Sequence, residues 1–143
     1  MFRLRRLGFQ ASLIPSGGSE VLEGIAHAGE GDLAILFSFS KVSEEGRMIL
    51  DYAREAGCST LAFTSRLYAL QEQRADVNLY VYRGEKEEFH TMSSAVAVID
   101  ALVLALSDSM QPKAAEKLMR LQKLKKKYGR RLYGKEDGKS GQE

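Results

Sequence analysis

Two short apolar runs constrain the fold of this chain most. "DLAILFS" (Asp32 to Ser38) and "STLAFTS" (Ser59 to Ser65) are near-continuous apolar stretches bounded by polar residues, the pattern of strands covered on both faces. Between them Met48, Ile49, Tyr52, Ala53 and Ala56 recur at helical spacing, and Gly57 stands where a helix C′ residue is expected. A buried strand, an amphipathic helix and a second buried strand make a parallel βαβ unit.

The flanking segments extend this pattern. Phe2 to Leu7 reads as the end of a helix stopped by Gly8, and "QASLIP" (Gln10 to Pro15) as a short strand. Ser19 is placed to cap a helix that buries Leu22, Ile25 and Ala26 and ends at Gly29. After the second apolar run come a short helix over Leu67 to Arg74, the strand "VNLYVY" (Val77 to Tyr82) and the charged surface loop "RGEKEEFH". A long apolar helix spans Thr91 to Ser107. Pro112 opens a last one, in which Leu118, Leu121, Leu124 and Tyr128 share a face and which Gly129 ends. The predicted fold class is therefore α/β: three layers, a parallel sheet with helices on both faces. Residues 1–129 form one domain, and 130–143 a polar basic tail.

Composition removes several classes of function. The 143 residues suit one domain, and 44% hydrophobic with 28% charged residues is a globular balance. The single cysteine, Cys58, excludes an internal disulfide framework and fits a reducing, cytoplasmic setting. "MFRLRRLGFQ" lacks the apolar core of a secretory signal. "AVAVIDALVLAL" (Ala95 to Leu106) is too short for a membrane span and is interrupted by Asp100. A net charge of +2 does not by itself argue for nucleic acid. The run "KLKKKYGRR", within Lys113 to Lys135, has two readings: a contact for phosphate backbones, or the solvated face and cationic end of a helix. His27 and His90 are far apart in unlike contexts, and no His/Cys/Asp/Glu spacing resembles a metal site.

In an open parallel sheet, ligands sit beyond the carboxyl ends of the strands. Ser38 and Ser40 fall there on one strand, and Thr64 and Ser65 on the next. The segment "SFSKVSEE" runs from strand through hydroxyl-rich turn to helix N-terminus, where unpaired N–H groups and the helix dipole favour an anion. One reading places a phosphate monoester on the Ser38, Ser40 and Ser43 hydroxyls and the backbone amides around Phe39 and Lys41. The other makes Ser43 an ordinary N-cap, with Glu44 and Glu45 answering the dipole.

The segments "SFSKVSEE", "EAGCSTLAFTS", "RADVNLYVY" and "SSAVAVIDALVLAL" resemble, in order and spacing, the SIS (sugar isomerase) domain, and in particular that of RpiR-type (MurR/RpiR) bacterial transcriptional regulators. The resemblance covers about Arg3 to Leu106. It implies a flavodoxin-like fold of strand order 2-1-3-4-5, a Ser-x-Ser-Gly-x-Thr-like turn that grips a sugar phosphate, and dimerisation. Lys41 stands where the family often has glycine and Ser43 where it often has threonine, although some regulators of the group carry a basic residue at the first of these positions. The resemblance also implies that the usual first strand, with its Gly/Ser-rich loop, is missing ahead of Phe2, as is the helix-turn-helix domain that precedes it in these regulators.

The expectation is a non-enzymatic sensor for a phosphorylated sugar or amino sugar. It has no cofactor, no metal and no catalytic residue, and touches DNA only through a helix-turn-helix domain absent from this chain. Ser38, Phe39, Ser40, Lys41 and Ser43 would hold the phosphate, with Thr64, Ser65, Ser93 and Ser94 around the pocket. The helix from Thr91 to Ser107 would join a homodimer. Two alternatives are a ligand-free dimerisation remnant and a sugar-phosphate isomerase. For the isomerase, Glu45 and His90 lie in regions the fold brings toward the ligand, but neither matches the family's acid/base residue well.

Overall fold

The computed structural model describes residues 1–14, 17–65, 74–85 and 87–133, with the side chains of 130, 132 and 133 left aside. Its elements are α1 (Phe2–Arg6), α2 (Glu20–Ile25), β1 (Leu33–Ser38), α3 (Glu44–Glu55), β2 (Ser59–Thr64), β3 (Val77–Tyr80), α4 (Ser93–Ser109) and α5 (Lys113–Tyr133). The chain divides into two compact units, residues 12–102 and residues 1–11 with 103–143.

Residues 12–102 contain the sheet, which is parallel throughout in the order β1-β2-β3. Leu33 pairs with Ser59 and Ser38 with Thr64; Leu61 pairs with Val77 and Thr64 with Tyr80. Alternation along each strand sends side chains to opposite faces. On one face Ala34, Leu36 and Ala62 meet Ile25 of α2 and Leu50 and Ala53 of α3. On the other, Ile35, Leu61, Phe63 and Leu79 meet Ala95, Val98 and Ile99 at the start of α4. The expected α/β sheet with helices on both faces is thus present.

Only the central strand is covered as the apolar runs predict. Thr60 to Thr64 of β2 are all buried, whereas Leu33 and Phe37 of β1 are more than half exposed. β1 and β3 are edges of a three-stranded sheet, so each lacks one neighbour to cover it. The strand predicted at "QASLIP" is also absent over residues 10–14. Ile14 packs instead against α2, where Gly24 leaves it room: a Cβ on Gly24 would lie 2.9 Å from the Ile14 side chain. Without a ladder partner beside it, Ile14 is held by packing on α2, and the Ala11 carbonyl by the Arg5 guanidinium.

Element boundaries agree in part. Ser19 precedes α2 without a side-chain capping bond, and Val21 and Ile25, rather than Leu22 and Ala26, are its buried residues. Gly57 ends α3 as expected, at φ +71°. Gly129 does not end α5, which continues to Tyr133. The apolar helix begins at Ser93 rather than Thr91 and runs to Ser109. The helix expected over Leu67 to Arg74 lies outside the described residues except for Arg74, and so does the tail beyond Tyr133. No single helix among the described residues is long and apolar enough to cross a membrane.

Candidate functional site

The carboxyl ends of β1 and β2 and the start of α3 converge as the sequence predicts. Ser38 closes β1 opposite Thr64, and the chain then turns through Phe39, Ser40 and Lys41 into α3. Val42 anchors that turn by burying its side chain among Leu36, Leu50, Ala62 and Ala75. Gly46 makes this approach feasible, since a Cβ there would come within 2.9 Å of Val42 Cγ1. Ser40 and Lys41 are left exposed at the apex.

Ser43 is the N-cap of α3: its backbone is extended, and the Gly46 N–H donates to its Oγ at 3.2 Å. Glu45 folds back over the same turn. Its own backbone N–H, and then the Ser43 hydroxyl, hold its carboxyl below the usual glutamate range. The first turn of α3 therefore already has a carboxylate beside its N–H groups.

The other predicted hydroxyls are engaged within the fold. Ser65 donates to the Phe39 carbonyl and so ties β2 to the β1 turn. Ser94 donates to the Tyr82 carbonyl, fixing the start of α4 against the segment that follows β3. Thr64 is buried and Ser38 half-buried. Ser93 is exposed; its N–H donates to Thr91 Oγ1 and its own Oγ accepts from the Thr91 hydroxyl, both at 3.1 Å, just ahead of the first turn of α4. Thus the structure gathers Ser38 to Ser43 with Thr64 and Ser65 at one edge, while Ser93 and Ser94 serve the entry to α4.

Sequence reasoning missed Arg83. Its guanidinium lies over the Phe39 ring, 4.7 Å from the centroid, and its Nε donates to the Thr91 carbonyl at 3.2 Å. The Thr91 N–H returns a bond to the Arg83 carbonyl at 2.9 Å. This pair closes the loop 83–91 at its base and places a cation beside the hydroxyl-rich turn. The available signal was positional: Arg83 follows the third strand at the edge where ligands of such sheets collect. His90 sits in the same loop, with Nε2 3.3 Å from the Glu85 carbonyl.

The model of the SIS domain family matches residues 3–105. The chain belongs to the SIS domain family. Two solved structures share its fold. One is the sugar isomerase domain of an RpiR transcription factor from Sphaerobacter thermophilus, with 22% identity, a TM-score of 0.71, and coverage of 85% of this chain and 68% of that one. The other is the Vibrio vulnificus NanR protein complexed with ManNAc-6P, with 17% identity, a TM-score of 0.73, and coverage of 94% of this chain. This chain spans half of the NanR chain. A comparison with curated protein sequences finds no match.

The SIS assignment gives a physical meaning to the landmark "RADVNLYVY". Asp76 Oδ2 accepts from both the backbone N–H and the hydroxyl of Thr60 at 2.7 Å, and the Asp76 N–H donates to Thr60 Oγ1 at 2.8 Å. The aspartate pins the start of β3 to buried Thr60 of β2, and these bonds, the hydroxyl first, hold its carboxyl below its usual range.

Proposed function

We propose that this SIS domain binds a phosphorylated sugar or amino sugar without transforming it, as the cytoplasmic sensor module of an RpiR-type regulator. The observation that carries this reading is the Phe39–Ser40–Lys41 turn. It presents exposed Ser40 and Lys41 at the carboxyl edge of a parallel sheet, has Arg83 stacked on half-buried Phe39, and belongs to a fold whose NanR neighbour is complexed with ManNAc-6P. Lys41 and Arg83 supply positive charge, Ser40 a hydroxyl, and the first turn of α3 the backbone amides. Glu45 yields that turn when the phosphate arrives. The module acts as a homodimer, a reading supported by the exposed Val96, Leu102 and Leu104 of α4. DNA specificity would come from a helix-turn-helix domain outside this chain.

One observation favours a second reading, a ligand-free dimerisation module. Glu45 occupies the helix terminus, and Ser43, Ser65 and Ser94 are all engaged in internal hydrogen bonds. A thermal-shift screen of hexose and amino-sugar 6-phosphates, ManNAc-6P included, separates the two. Binding at a hundredfold excess over Kd raises the melting temperature by roughly 10 °C. Glu45→Gln removes a charge that competes with the phosphate and is expected to tighten binding about fivefold. No shift with any sugar phosphate, in wild type and Glu45→Gln alike, establishes the second reading.

A further inference from the structure

The small net charge of the chain conceals a segregation. Residues 12–102 carry seven lysines and arginines against fourteen carboxylates, a net −7; the rest of the chain carries fourteen against five, a net +9. The positive charge is built around α1 and α5. Arg5, Arg6, Lys117 and Arg120 surround a shallow cleft of about 190 Å³ floored by Leu121 and Leu124. Lys117 crosses the turn after α1 so closely that its side chain fills the space a Cβ on Gly8 would need. Arg5 is spent on the Ala11 carbonyl, at 2.8 and 2.5 Å, and Arg6 lies over the Phe2 ring at 4.2 Å. Beyond the cleft, Arg120, Lys123, Lys126 and Lys127 stand exposed on α5, and Glu116 is the sole carboxylate of that helix.

We propose that this α1–α5 surface binds the phosphodiester backbone of nucleic acid, independently of base sequence. The proposal goes beyond sugar-phosphate sensing and uses none of the residues assigned to it. Like charges stacked along one helix destabilise it, and a polyanion with one charge per about 1.7 Å of duplex relieves every one of them at once. A lipid surface fits less well. Ala114 is buried and Leu118 and Leu121 are half-buried. Of the exposed apolar residues, Leu124 and Tyr128 share a face one turn apart while Met119 lies about 140° around the helix from Leu124, so the exposed apolar stripe is only two residues long, too short to seat the helix in a bilayer.

The test is fluorescence anisotropy of the full chain with a labelled 20-base-pair DNA duplex of mixed sequence, and with its RNA counterpart, from 50 to 200 mM KCl. With about five cations engaged, the slope of log K against log salt is roughly −4.5, a loss of about 500-fold over that range. The triple variant Lys123→Glu, Lys126→Glu, Lys127→Glu is expected to flatten the slope by about 3. A circular-dichroism melt shows that it stays folded, and the milder lysine-to-glutamine triple variant falls between it and wild type. Equal affinity for DNA and RNA, or a preference for either, supports the proposal, and a preference identifies the source of the backbone. No binding at 50 mM salt overturns it. So does binding unchanged in the triple variant, or pelleting with phosphatidylserine vesicles while both duplexes fail to bind.

Discussion

Phe63→Ala is expected to destabilise the protein by about 3–5 kcal/mol, a large share of the roughly 5–15 kcal/mol typical of a whole domain. Phe63 lies on the central strand, 1% exposed, with its ring stacked on Phe37 at 5.0 Å. On the same side it meets Leu61, Val81 and Ala95. Truncation to alanine removes the contact between the sheet and the start of α4 and leaves a cavity that these edge-flanked strands can only partly close. Urea denaturation followed by far-UV circular dichroism should show the midpoint lowered by about 2 M. Phe63→Leu keeps most of the volume and should lose no more than about 1.5 kcal/mol. Equal losses in the two variants would mean that the ring's packing is not what the core depends on.

Asp76→Ala is expected to lose about 2–3 kcal/mol, because it leaves both the N–H and the hydroxyl of buried Thr60 without their acceptor. The same contact sets a pH dependence. The Asp76 carboxyl in the folded protein titrates below its usual 3.8, so the folded state binds fewer protons than the unfolded one around that pH. Its stabilisation is complete above the unfolded value and fades as pH falls below about 3.8 toward the lower folded value. Urea midpoints measured from pH 6 down to pH 2.5 should therefore decline less steeply in Asp76→Asn than in wild type. Parallel declines would remove Asp76 from the acid sensitivity of the fold.

The βαβ core was legible because its signals are local. The apolar runs of β1 and β2, the helical spacing of α3 and Gly57 at positive φ each follow from residues close in sequence. Burial was less legible, since it depends on neighbours the pattern cannot count: "LAILFS" reads as doubly covered but forms an edge. Residues 10–14 have strand composition, yet a strand needs a partner ladder, and Ile14 finds its burial on α2. In the site, the capping role of Ser43 was one of two readings open from spacing, and the structure shows that bond made. The engagement of Ser65 and Ser94 depends on carbonyls 26 and 12 residues away, which no local pattern reveals. Arg83 was missed for the same reason, because its partner Phe39 lies on another strand's turn. The family landmark "RAD" was recognisable without its mechanism; the Thr60 bonds to Asp76 supply it.

The central claim is that the Phe39–Ser40–Lys41 turn holds the phosphate of a sugar. Isothermal titration of the full chain with ManNAc-6P and with the unphosphorylated sugar, in wild type and Lys41→Glu, tests it most directly. Saturable binding of the phosphorylated sugar alone is expected, weakened roughly 30-fold in Lys41→Glu through loss of a charge-assisted contact worth about 2 kcal/mol. Equal affinity for the two sugars, or an unchanged Kd for ManNAc-6P in Lys41→Glu, would contradict it.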